Sequence, residues 1–418
     1  QSAKEFLRGV RLYGSMVPRP YIAGEAQQLK SLCPDITEND LRAVTEGAIT
    51  EDVKYVFATE FQRASARAKI PPKFLAFIDE ASTSPFYLPY TPFSDAALKE
   101  MAQEKWRGLI EGLVVVGDER QAIGVGPDYQ GWGERLLVLP MIKQMLETLD
   151  AQNQFYHLRE TLRLPAPTED PLDEGFYSDL GGLQAVEDFR DRYKQLRLHE
   201  WQEKWERCAK LAELSYIVSE TVETALSSHL PVIVLNTKQS YGSGERIEPR
   251  RVSLSIKLAA LFKCLYPQLE VAVTGPYRDL VSTAKLNYIR KFRQLGTVQF
   301  LSVQSILGKE ADIVISVLGK EYTGSDDMQT IYFMEPNNLN VQLSRHRGML
   351  IIIGDLIRLR NSAAKEAKLR GLTGARGTPA TMIRKTCDTI LVLSGINRPR
   401  KNIPRSTSGS GGVFVKLE

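Results

Sequence analysis

The sequence predicts an α/β protein built on parallel sheets, and three observations carry that prediction. Short, continuously apolar runs recur along the 418 residues, which suits strands buried on both faces. Stretches with helical spacing separate most of these runs, as parallel crossovers require. Two of the runs stop abruptly in acidic turns, at the strand ends where open parallel sheets bind ligands.

In chain order, strand candidates at residues 9–13 and 55–58 come first, followed by the run 74–78, which ends in Asp79, Glu80, Ala81 and Ser82. Read alone, this is a strand entering an acidic turn. A buried strand nevertheless has no structural need for paired carboxylates at its tip. In a nucleotide-hydrolysing site the first acid can hold Mg²⁺ and the second can orient or deprotonate the attacking water. The run 113–116 ends in a similar way, in Gly117, Asp118, Glu119, Arg120 and Gln121. Gln121 is long enough to reach a terminal phosphate or a bound water from the neighbouring strand.

Residues 166–229 differ in texture. An acidic, proline-containing loop (Glu169, Asp170, Asp173, Glu174) leads into two stripes at helical spacing. One is Leu183, Val186, Phe189, Tyr193 and Leu196; the other is Trp201, Trp205, Cys208 and Leu211. Steps of three and four residues face a core, so this region reads as a packed helical insertion, with a partner-binding helix pair as the alternative. Strand candidates then resume at 231–235, 269–273, 296–303, 312–318 and 349–353, with helices at 253–264 and 280–292 between them. This is a second parallel sheet.

Composition bounds the function classes. Apolar residues make up 43% and charged residues 25%, ordinary for a globular chain. No apolar run is long enough to span a bilayer, so no membrane contact is expected, and no signal peptide opens the chain. Cys33, Cys208, Cys264 and Cys387 lack metal-site spacing and read as reduced, intracellular thiols. The net charge is +4, but residues 356–418 hold 13 Lys and Arg against three acids, a net +10 that leaves −6 elsewhere. A basic tail on an acidic body suggests contact with a polyanion, with a solvated tail kept soluble by its charge as the alternative.

The order of these motifs resembles superfamily 1 helicases, in particular the 5′-to-3′ branch of the nonsense-decay helicase and its DNA-repair relatives. Asp79-Glu80-Ala81-Ser82 is similar to that family's Mg²⁺-binding motif, and Gly117-Asp118-Glu119-Arg120-Gln121 to its γ-phosphate sensor. Residues 158–165 (Leu-Arg-Glu-Thr-Leu-Arg-Leu-Pro) resemble the segment whose arginine, here Arg163, reaches the nucleotide from the second domain. Thr274-Gly275-Pro276-Tyr277-Arg278 resembles the second domain's threonine-proline-tyrosine turn. Residues 302–310 resemble the motif that couples nucleotide to nucleic acid, and residues 340–347 the last motif, with Arg345 as the second arginine finger.

The resemblance implies two RecA-like domains, the first (1–157) incomplete and the second (158–355) carrying the insertion, followed by the basic tail 356–418. It implies ATP and Mg²⁺ as cofactors, with Asp79 on the metal, Glu80 on the water, and Gln121, Arg163 and Arg345 around the γ-phosphate. Asp118, Gly308 and Glu310 would line the nucleotide, Glu310 holding the ribose or supporting Arg345. Single-stranded DNA or RNA would be gripped through Thr59, Thr274, Tyr277 and Ser302, and the insertion could hold a protein partner. Arginine suits the nucleotide role because its planar fork binds phosphate oxygens bidentately.

The chain departs from the family pattern in three places. Gln304 stands where an acid is usual, and Leu307 where a glutamine is usual. The loop 242–251 reaches Pro249, Arg250 and Arg251 without an acidic helix start. No G-x-x-x-x-G-K-[ST] phosphate loop occurs anywhere, and the first residue is Gln1. An amino-truncated piece of a longer helicase, inactive alone, is therefore expected; an ATPase-dead scaffold that only binds nucleic acid or a partner is the alternative. The last residues, 406–418, read as a flexible linker with a vector remnant.

Overall fold

The computed structural model describes residues 20–22, 42–43, 55–57, 74–78, 81–82, 110–121, 138–148, 155–238, 247–319, 336–369, 379–395 and 412–417. The expected strand at 9–13 and the candidate residues Thr59, Asp79 and Glu80 lie outside them. The chain divides into two compact units, Gln1–Phe155 and Tyr156–Glu418.

In the first unit β1 (Pro20–Ile22), β2 (Arg42–Ala43) and β3 (Tyr55–Phe57) form a small parallel sheet in the order β2-β1-β3. A second parallel pair joins β4 (Phe74–Ile78) to β5 (Ile110–Val115) with Ile78 opposite Val115. The carboxyl ends of β4 and β5 therefore lie side by side at the same level. Helix α1 (Val138–Thr148) places Leu139 and Ile142 against Ala81, Val115 and Phe155, which closes a small apolar cluster beneath these tips.

The second unit opens with the short parallel pair β6 (Glu160–Thr161) and β7 (Gln184–Ala185). Between them lie the helical turns Asp170–Leu172 and Asp173–Tyr177. The first predicted amphipathic stripe is thus a strand followed by a short helix, α2 (Phe189–Gln195). That helix starts where Asp188 accepts a hydrogen bond from the Arg190 amide, a side-chain cap. Helices α3 (Trp205–Leu211) and α4 (Tyr216–Ser227) complete the insertion. Trp201, Trp205 and Cys208 are buried as the stripe predicts, whereas Leu211 is 45% exposed.

The central sheet has six strands: β8 (Val232–Thr237), β9 (Val271–Gly275), β10 (Gln299–Ser302), β11 (Ala311–Val317), β12 (His346–Gly354) and β13 (Gly412–Leu417). They are all parallel, in the order β10-β9-β11-β12-β8-β13. The crossovers are α5 (Pro249–Leu265), α6 (Arg278–Phe292), the single turn α7 (Val303–Ile306), α8 (Pro336–Leu343), α9 (Leu356–Leu369) and α10 (Pro379–Leu393).

Successive strand residues divide between two cores, because side chains alternate across a sheet. Ile233, Leu235, Ile313, Ile315, Ile351 and Ile353 join the cluster under α2 to α6. Val232, Val234, Val314, Leu350 and Ile352 join the cluster under α8 to α10. Burial on both faces explains why these strands read as unbroken apolar runs rather than alternating ones. The α/β parallel-sheet organisation expected from the sequence is the one observed.

The stretch 356–418, expected as a basic tail, contains two helices and a strand of this unit. Leu356, Leu359, Met382, Ile383, Cys387 and Ile390 are buried in the second core, and Arg360 pairs with Asp388 at 2.6 Å. The expected linker ends in β13, which pairs along the whole of β8. Its alternating Val413, Phe414, Val415 and Lys416 suit a half-exposed edge strand. The cysteines also differ from expectation. Cys208 and Cys264 form a disulfide across 56 residues, since α3 packs directly on α5, while Cys387 is a buried free thiol.

Candidate functional site

In the first unit the backbone stitches Ala81 and Ser82 to the turn that follows β5. The Ala81 amide donates to the Val116 carbonyl at 2.9 Å, and the Asp118 amide donates to Ser82 Oγ at 3.3 Å. A Cβ on Gly117 would sit 2.8 Å from the Ser82 nitrogen and 3.1 Å from that of Ala81, so only glycine permits this approach. Asp118 then organises the next turn. Its Oδ1 accepts from the Arg120 amide at 2.9 Å and its carbonyl from the Gln121 amide at 3.0 Å. Glu119 pairs with Lys143 of α1 at 3.2 Å, anchoring the turn that carries the half-buried Gln121. Asp118 thus shapes the sensor turn through backbone amides.

In the second unit the predicted residues lie on opposite edges of the six-stranded sheet. The arginines are at the amino ends of the strands. Glu310 precedes β11 and receives two guanidinium groups, Arg163 Nε at 3.1 Å on Oε2 and Arg347 Nη1 at 3.0 Å on Oε1. Arg163 also donates to the Ser344 carbonyl at 3.3 Å. Arg347 continues to Asp312 Oδ1 at 3.0 Å and to Glu270 Oε2 at 2.7 Å. Burial alone would raise the Glu310 carboxyl pKa, but Arg163 and Arg347 outweigh it and hold it below the usual carboxylate range. Glu310 therefore supports Arg163 and Arg347.

Arg345 itself is 2% exposed, and its Nε donates to the Val341 carbonyl of α8 at 3.3 Å. In this structure the expected second finger is folded onto its own helix. Its neighbour His346 is fully buried with no well-formed hydrogen bond on either ring nitrogen. Burial pushes its pKa down to about 3; the nearby Leu343 backbone opposes this and the charge on Arg163 adds to it. Gly308, between α7 and β11, has φ +67°, a left-handed conformation that a side chain would strain.

The hydroxyl residues lie at the carboxyl ends. Thr274 and Gly275 end β9, and Ser302 ends β10. The Ser302 hydroxyl caps α7, accepting from the Ser305 amide at 3.4 Å and lying 3.0 Å from its hydroxyl. Tyr277 is half-buried against the first core. Thr274 is fully buried and its hydroxyl has no hydrogen-bond partner among the described residues.

On the same edge Arg251, also fully buried, binds Thr237 Oγ1 at 2.8 Å and the Gly319 carbonyl at 3.0 Å. It thereby ties the end of β8 to the end of β11 across β12. The first turn of the helix it stands on holds no acid, as the sequence suggested, but the residue before it is one. Glu248 is the N-cap of α5 and accepts from the Arg250 amide at 3.3 Å, with Pro249 at the first helical position. Proline fits there because its missing N–H would have no helical partner.

Among the described residues no group of three or more His, Cys, Asp or Glu is arranged to hold a metal ion. No pairing role was expected of Arg347, Asp312, Glu270 or Arg251. A usable signal was available for the two acids: each stands within two residues of the amino end of a buried strand, where an unpaired carboxylate is costly.

No curated protein matches the chain in sequence. The crystal structure of arterivirus nonstructural protein 10, a helicase, is similar at 13% identity with a TM-score of 0.32, over 86% of this chain and 58% of the helicase. The same arterivirus helicase in complex with DNA gives 11% identity and a TM-score of 0.32, over 85% and 58%. This chain therefore spans 58% of the length of either helicase chain. The AAA domain family matches residues 145–357, just over half of the 418 residues, and the chain belongs to that family.

Proposed function

We propose that the chain is the nucleotide- and nucleic-acid-handling part of a superfamily 1 helicase or translocase that moves 5′ to 3′ on single strands. The observation that carries this proposal is the division of the second sheet. Groups suited to a phosphate chain (Arg163, held by Glu310) stand on its amino edge, and the buried strand-end residues Thr274 and Ser302 mark its carboxyl edge, over which a strand would pass. One rigid sheet that joins two such edges can turn a nucleotide-driven tilt into movement of a strand.

The residues present fit an anionic ligand in part. Arg163 stays about a third exposed although Glu310 and the Ser344 carbonyl fix its fork, which leaves a pre-oriented cation. Bound ATP with Mg²⁺ would supply the transferable γ-phosphoryl group and its neutralising metal. Asp79 would hold the metal, Glu80 would orient the water and accept its proton, and Gln121 would sense the terminal phosphate. Arg163 would offset charge on the phosphate oxygens, joined by Arg345 once that side chain leaves the Val341 carbonyl. Leu307 cannot hydrogen-bond, so the link between α7 and the nucleotide would be weaker than the family pattern implies.

The sequence holds no phosphate loop, so the amide cradle and its lysine are missing from the donor set. Hydrolysis by the 418-residue chain should accordingly be slow or undetectable. The same absence favours one alternative, an ATPase-dead scaffold that binds nucleic acid. The two separate in a single series. Fluorescence anisotropy with single-stranded DNA and RNA should show binding under either proposal, but only a motor coupled to nucleotide changes strand affinity when ATP or ADP is added. Absence of any single-strand binding would overturn both. A longer form that unwinds 5′-tailed but not 3′-tailed duplexes would fit the proposed direction, and the reverse preference would exclude it.

A further inference from the structure

A concavity of about 510 Å³ opens on the carboxyl edge of the six-stranded sheet, at the ends of β8, β12 and β13. Three of its lining side chains are cations, Lys238, Arg358 and Lys416, and one is an acid, Asp355. None of the three cations makes an ion pair with any described residue, in contrast to the amino edge, where each exposed arginine is matched by carboxylates. Asp355 Oδ1 accepts from the Arg358 amide at 3.1 Å and from Asn236 Nδ2 at 3.3 Å, capping α9.

The three cations come from three separate elements. Lys238 follows β8 and Arg358 lies in the first turn of α9. Lys416 is on the edge strand β13, in register with Asn236. Such convergence in a concave site with low-dielectric walls focuses positive potential. The carboxyl edge of an open parallel sheet is also where ligands enter. The concavity lies on the same edge as Thr274, three strand positions away along β9-β11-β12-β8. At about 4.8 Å per position this is roughly 15 Å.

We propose that this concavity is a backbone-phosphate subsite that extends the single-strand track past Thr274 to the β13 edge of the sheet. The inference rests on the nucleic-acid-binding proposal above and adds a location to it. Lysine and arginine at such a site grip phosphodiesters without reading bases.

The test compares the intact 418-residue chain with the triple variant Lys238→Gln, Arg358→Gln, Lys416→Gln, using anisotropy of a single-stranded oligonucleotide from 50 to 200 mM salt. Each lost phosphate contact lowers the salt slope by about 0.7, so the variant should lose about two units of slope and bind about tenfold more weakly at low salt. The charge-preserving variant Lys238→Arg, Arg358→Lys, Lys416→Arg should keep the slope and shows that the site itself tolerates change. A control that removes three exposed cations elsewhere, Lys210→Gln, Lys285→Gln, Arg290→Gln, should also leave the slope near wild type.

Three results would overturn the inference while leaving the wider proposal intact. They are an unchanged slope in the first variant, an equal loss in the control, and loss of inorganic phosphate binding with oligonucleotide binding untouched, which marks a small-anion site. A wild-type chain that binds no oligonucleotide would instead remove the nucleic-acid proposal itself.

Discussion

At the scale of single residues, Glu310 organises the amino edge because one carboxylate holds two guanidinium groups. Glu310→Ala would leave Arg163 and Arg347 facing each other without their shared anion. The network is partly exposed, so the cost should be modest, about 1–2 kcal/mol. It should show as a lower urea midpoint at unchanged m-value. Because the Glu310 pKa is lowered in the folded state, its contribution is complete above the unfolded value near 4.5 and is lost as pH falls through the lower folded value. His346 acts over a higher range. Folded, it stays neutral down to about pH 3, while the unfolded chain takes up a proton near pH 6.5. Stability should therefore fall as pH drops below 6.5, by up to about 1.4 kcal/mol per unit. A His346→Leu variant, measured by urea titration between pH 7 and 5, should show a shallower decline, and an unchanged slope would assign the loss to other groups.

At the scale of elements, legibility followed the distance over which each cause acts. The strands β8, β11 and β12 could be read from the sequence because burial on both faces writes an unbroken apolar run into consecutive residues. Helix α5 was legible for its body but not for its cap, since Glu248 precedes a proline that obscured the start. β13 was not legible, because a glycine- and serine-rich approach resembles a linker and the pairing with β8 is decided about 180 residues earlier in the chain. The Cys208–Cys264 bond was hidden for the same reason, as it depends on α3 docking on α5. That link constrains a loop of 56 residues, for which chain entropy gives a stabilisation of about 4 kcal/mol. Cys208→Ser with Cys264→Ser, or addition of reductant, should lower the melting temperature of the second unit. A reductant-insensitive melt would mean that the two thiols are not bonded in solution.

At the scale of the molecule, the candidate site was half legible. The resemblance named Arg163, Thr274 and Ser302, and the sheet places them at opposite strand ends. The strand-end position of Glu270 and Asp312 was legible, but their pairing with Arg347 was not, because each contact joins strand ends far apart in sequence. If the two edges bind strand and nucleotide as proposed, the short segment from Ser302 through α7 to Glu310 would join them directly. The central claim is that these edges serve one ATP-driven motor whose water is positioned by Glu80. ATP hydrolysis by the 418-residue chain, with and without a single-stranded oligonucleotide, and for wild type beside Glu80→Gln, tests it most directly. The account predicts at most slow turnover, raised by the strand and abolished in Glu80→Gln; brisk turnover that persists in Glu80→Gln would contradict it.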